Sequence, residues 1–206
     1  MVITYHGAEF FKVTFGDTTL AFNPVSKTSK YKTSKFGADI ALVSLHHPDM
    51  NGTEQVVHGD REPFVIDGPG EYEIKGVFIK GFPTNVTYEK KPYINTIYTV
   101  ELEGMHIVFL GALSERKLSP DIKGELPDVD VLFVPIGGEE ALSAEDAHEL
   151  AVELEAKVVI PMHFDSKALA TFVKSEGGNG KPVDKLTLKK KDLEEKEGDI
   201  VVLRGA

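Results

Sequence analysis

Cysteine is absent from this sequence. That excludes disulfides, thiol nucleophiles and thiolate metal sites, so any metal has to be held by His, Asp or Glu. Basic charge is in short supply. The 23 Lys and Arg stand against 33 Asp and Glu, a formal charge of −10, and general binding of nucleic acid is not expected because phosphate contacts need a basic footprint. The two basic runs that exist, Lys27 to Lys35 and Lys185 to Lys191, read as a solvated loop and a strand rim. No apolar run approaches the length of a membrane span, and no export signal precedes the strand-like Met1 to Tyr5. The expectation is a soluble cytoplasmic protein with no membrane partner.

The 206 residues suit one domain, 1–206, large enough to bury a core. Strand signals dominate the first half. Glu9 to Phe15 and Thr18 to Phe22 flank the hairpin turn Gly16-Asp17. Pro63 to Ile66 is a short apolar run, and Glu71 to Gly81 alternates around Gly76. Asn95 to Glu103 and His106 to Leu110 make another pair. The rhythm then changes. Asp130 to Ile136 and Lys157 to Pro161 read as strands, and helices are expected from the Ser143 N-cap to about Glu155 and over Ser166 to Lys174. Lys185 to Lys190 and Asp199 to Arg204 return to strand, and Gly177 to Gly180 reads as a surface loop. This order suggests an α/β architecture, an αββα sandwich of two mixed sheets packed face to face with helices outside.

The most informative stretch is Val43-Ser44-Leu45-His46-His47-Pro48-Asp49-Met50-Asn51-Gly52. An apolar strand, Ala38 to Val43, runs into it, and a short helix is expected from Gly52 to His58. It looks like a zinc-hydrolase ligand loop with half of its ligands missing. With Ile3-Thr4-Tyr5 and Gly7, Leu20 to Pro24, Val65 to Tyr72, Val108 to Leu113, Asp130 to Gly138 and Val159 to His163, it resembles the metallo-β-lactamase superfamily. Within that superfamily the chain is similar to the small single-domain hydrolases related to ascorbate-6-phosphate lactonase.

The resemblance implies a ligand pattern that this chain only partly keeps. The first His of the family loop is replaced by Leu45, and the last by Met50. The bridging Asp is replaced by Ala112, and only Asn85 or Val86 stands where the third His belongs. Asn23 stands for an outer Asp, and Ala8 for the His after the first Gly. His47, Asp49 and His163 remain. They are the candidate catalytic residues and the candidate metal ligands. They would hold at most a single weakly bound zinc ion, or would work without metal as His bases with an orienting carboxylate. His46 and Glu71 are the side chains considered for completing such a site, and Asp67, Tyr72 and the amides of Gly137-Gly138 for lining it. A degenerate member is expected, with its dinuclear zinc site lost, binding a small molecule or a protein partner in the former cleft. The alternative is a hydrolase of an ester, lactone or phosphodiester.

Overall fold

The computed structural model describes residues 1–175 and 180–205. Its strands are β1 (Val2–Tyr5), β2 (Phe11–Phe15), β3 (Thr18–Phe22), β4 (Ile40–Leu42), β5 (Phe64–Ile66), β6 (Gly70–Ile74), β7 (Val77–Tyr88), β8 (Lys91–Leu102), β9 (Met105–Phe109), β10 (Val131–Pro135), β11 (Val158–Met162), β12 (Leu186–Thr187) and β13 (Asp199–Ile200). Three helices, α1 (Pro120–Glu125), α2 (Ala144–Glu153) and α3 (Ser166–Ser175), complete the described elements together with two short 3₁₀ turns. One sheet runs β12-β1-β2-β3-β4-β5 and the other β13-β11-β10-β9-β8-β7-β6.

Alternation explains how the sheets meet. Phe11, Val13, Leu20 and Phe22 project from the first sheet onto Tyr98, Val100, Ile107, Phe109 and Phe133 of the second. Successive strand residues point to opposite faces, so Ile97, Val108, Leu132 and Val134 are left for the outer face. There they meet Ala147, Leu150 and Ala151 of α2 and Phe172 of α3. β10 and β11 are buried on both faces and accordingly read as unbroken apolar runs. The two-sheet sandwich expected from the sequence is present. Its helices lie on the seven-stranded sheet, while Val25, Phe36, Ala38 and Val56, from the loop and 3₁₀ turn around β4, cover Ala21 and Ala41 of the other.

Several local expectations are corrected. The helix expected over Gly52 to His58 is only a 3₁₀ turn at Thr53–Gln55. The interruption expected at Gly76 proves to be a hairpin turn at Lys75 and Gly76, both in the left-handed region. Its second strand runs on to Tyr88 and pairs along its length with β8, giving a long hairpin that reaches beyond the sheet's core. Helix α1, with Ser119 as N-cap and Pro120 in its first turn, was not expected. The closing strands shrink to Leu186–Thr187 and Asp199–Ile200, with isolated bridges beyond. Most of the loop expected over Gly177 to Gly180 lies outside the described residues. No described helix is long and apolar enough to cross a membrane.

β9, β10 and β11 are parallel, so their carboxyl ends share one end of the sandwich. In open α/β sheets this is where ligand crevices form. The residues after β9 and β11 arrive there beside the loop after β4 and the tip of the long hairpin.

Candidate functional site

The loop after β4 is tied down from beneath. The Tyr98 hydroxyl donates to the Val43 carbonyl at 2.8 Å. Asn23 sits at φ 43, a backbone conformation that asparagine tolerates better than most residues. From there its amide donates to Ser44 Oγ at 2.8 Å and its carbonyl accepts from the Ser44 amide at 2.7 Å. Gly111 has no room for a side chain, since a Cβ would lie 2.3 Å from Asn95 Oδ1 and 2.6 Å from Ser44 Oγ. The chain after β9 therefore presses directly on this loop and delivers Ala112.

Ala112, Leu45, Met50, Val86 and Tyr88 form one buried apolar cluster, with Tyr93 at its edge. Tyr88 is fully buried. Its ring lies 4.9 Å from the His47 ring and 5.9 Å from the His163 ring, against both histidines that the sequence singled out. Its hydroxyl donates to Asp49 Oδ2 at 2.9 Å. Burial first, and then the neighbouring Asp49 carboxylate, push this phenol far above the ordinary tyrosine range.

His47 lies between two carboxylates. Its Nδ1 accepts from the Asp49 amide at 3.3 Å, which leaves the Nε2 proton facing Glu89 Oε2, also at 3.3 Å. Asp49 is buried and takes a second hydroxyl, that of Ser29, on Oδ1. Glu89 is 43% exposed and pairs with Lys30 at 3.0 Å. The Lys30 ammonium beside it holds the Glu89 carboxyl below its usual range. Glu89 and Lys90 form the two-residue turn of the long hairpin, both at positive φ (46° and 63°) without being glycine. The turn geometry is the one hairpins favour, but the residues are not those that usually make it.

His163 belongs to a different network. Its Nδ1 lies 2.9 Å from Oε1 of Glu9, a fully buried carboxylate whose Oε2 accepts from Asn23 Nδ2 at 2.7 Å. Desolvation works against the charged imidazole, but the hydrogen bond and charge of Glu9 outweigh it and raise the His163 pKa. His163 is itself at φ 51, and a Cβ on Gly137 would lie 2.4 Å from its carbonyl, so Gly137 is a glycine for clearance.

Glu9, Tyr88 and Glu89 were missed in the sequence. His46 and Glu71 do not join the group. His46 is exposed beside Asp67 at 3.9 Å, and Glu71 pairs with Lys80 on the sheet's outer surface. The Tyr72 hydroxyl is spent on the Gly68 and Pro69 carbonyls, and the Gly138 amide on the Leu142 carbonyl. Among the described residues, the one group of His, Asp and Glu with ligand atoms all within 4.8 Å is His47, Asp49 and Glu89. His163 is outside it.

Comparison with known proteins fits this framework. The family model described as a β-lactamase superfamily domain matches residues 2–163. The chain belongs to this superfamily. A metal-dependent hydrolase of Listeria innocua is 29% identical over 224 aligned positions, covering 89% of this chain and 97% of the relative. A Thermotoga maritima structure assigned to the zinc-dependent hydrolases of the metallo-β-lactamase superfamily is 30% identical, with a TM-score of 0.79 and 100% and 99% of the two chains covered. A Parabacteroides distasonis structure assigned as a metal-dependent hydrolase, 17% identical with a TM-score of 0.70 and coverage of 99% and 93%, shares the fold.

Three positions where the resemblance expects ligands hold Leu45, Met50 and Ala112, all buried and packed together. The Tyr88 ring packs against both retained histidines. A single cation would have only His47, Asp49 and Glu89, and there it would compete with two hydroxyl donors on Asp49 and an ammonium on Glu89.

Proposed function

We propose that this superfamily member has given up dinuclear metal hydrolysis and uses the rebuilt end of its sandwich to bind a small molecule or a protein partner. The observation that carries this reading is Tyr88, buried against both His47 and His163 with its hydroxyl on Asp49. A hydroxyl proton satisfies that carboxylate where a metal would otherwise have to, since a buried carboxylate needs a donor or a counter-ion. The apolar cluster supports the same reading, because without a dication clustered carboxylates would repel and lose solvation. Ligand-dependent thermal stabilisation tests it. A metabolite panel is expected to give a shift that is the same with zinc and with chelator and is accompanied by no turnover. A shift that requires zinc, or turnover abolished by His163→Ala in folded protein, would overturn it.

A second reading has its own observation, the grouping of His47, Asp49 and Glu89. It makes the chain a hydrolase of an ester, lactone or phosphodiester with one cation. A bound metal would supply an activated water there. This reading requires a single zinc retained in His163→Ala and lost in Glu89→Gln. Retention of that zinc in Glu89→Gln would remove it.

A further inference from the structure

At the end of β11 opposite His163, the last turn of α2, the start of β11 and the chain around Leu193 to Gly198 enclose a groove of about 740 Å³. Ala151, Val152, Val159 and Leu193 give it an apolar lining. Val152 is 61% exposed, the most of any large hydrophobic side chain among the described residues, although α2 otherwise buries its apolar positions. Here it opens onto the groove, so a ligand's apolar group seated there would cover it.

The rim carries one sign of available charge. Its two lysines are spent, Lys157 on Asp130 at 2.7 Å and Lys196 on Asp199. Glu155, Glu194 and Glu197 have no ion pair among the described residues. The backbone adds to this. Glu155 follows the C-cap of α2 at φ 49, where glycine or asparagine is usual, and the last turn of α2 has no basic residue. An acid beside the negative pole of a helix is unfavourable, and a cation there is favourable. Two local rules are broken at one residue on the rim of an open apolar groove, and such departures concentrate where function outweighs local stability.

We propose that this groove docks a lysine- or arginine-bearing segment of another protein. An apolar side chain of that segment covers Val152, and its cation sits among Glu155, Glu194 and Glu197 beside the end of α2. The site is separate from the former metal cleft and stands or falls independently of the function proposed above.

The test is fluorescence anisotropy of the whole protein with a labelled amphipathic leucine–lysine peptide at physiological salt. The groove triple variant Glu155→Lys, Glu194→Lys, Glu197→Lys is compared with a matched triple on exposed acids elsewhere, Glu73→Lys, Glu101→Lys, Glu103→Lys. Both change net charge equally, and circular dichroism checks that both fold. The groove triple is expected to weaken binding about tenfold or more and the matched triple less than about twofold. Val152→Ser, which leaves charge untouched, is expected to weaken it about threefold. Equal weakening by the two triples would reduce the effect to net charge and overturn the proposal. So would a groove triple that binds like the unaltered protein, or an unaltered protein that does not bind the peptide.

Discussion

The two walls of the cleft are built in different ways. On the wall of the β4 loop, Leu45, Met50, Val86 and Ala112 close around Tyr88 in apolar contact. The His163 wall is held by polar contacts. Glu9 and Asn23 instead extend a buried hydrogen-bonded chain from His163 to Ser44. The apolar wall needed only side chains that fill space. The polar wall kept an imidazole and so needed a carboxylate to meet it, because a buried polar group without a partner costs more than the bond contributes. The two walls should therefore respond differently to substitution.

The largest effect is expected on the polar wall. Glu9→Ala leaves His163 Nδ1 without its partner and Asn23 Nδ2 with only Ser44 as acceptor, and should cost about 4 kcal/mol, read as a lower urea midpoint. A cost near zero would mean that the network is incidental. At the seam between the walls, Tyr88→Phe keeps the ring and removes the hydroxyl donor to Asp49, for about 2 kcal/mol. An unchanged midpoint there would break the assignment of that hydroxyl as the partner of the buried carboxylate.

Asp130 provides a contrast, a buried carboxylate answered by lysines. Desolvation opposes its ionisation, but Lys157, the His106 amide and Lys190 more than offset this and hold its pKa below the usual range. A folded-state pKa below the unfolded one stabilises at pH above the unfolded value, about 3.9, and that stability is lost as pH falls through the folded value. Unfolding between about pH 6 and pH 2.5 should therefore show an acid loss that is smaller in Asp130→Asn. Equal losses in both proteins would remove the argument. The smallest effect belongs to the apolar wall. Met50→Leu conserves volume and should cost less than about 1.5 kcal/mol. A larger cost would show that the thioether does more than fill space.

The same division governs what the sequence revealed. Leu45, Met50 and Ala112 could be placed at one end of the fold because each stands in an ordered motif of the superfamily. The sandwich was legible from strand alternation and from the doubly buried runs of β10 and β11. Tyr88 was missed although Asn85-Val86-Thr87-Tyr88 alternates out and in, because Pro83 argues against a strand and Glu89-Lys90 lacks the usual hairpin-turn residues. Glu9 had no local signal at all. Its partners lie 14 and 154 residues away, and only the folded chain brings them together.

The measurement that tests the central claim most directly is zinc per chain, after brief zinc exposure and desalting, in the unaltered protein and in His163→Ala. The account predicts that neither retains zinc. Zinc retained by the unaltered protein and lost in a folded His163→Ala would contradict it, because it would mean that the space between His47 and His163 still holds metal and that Tyr88 does not replace it.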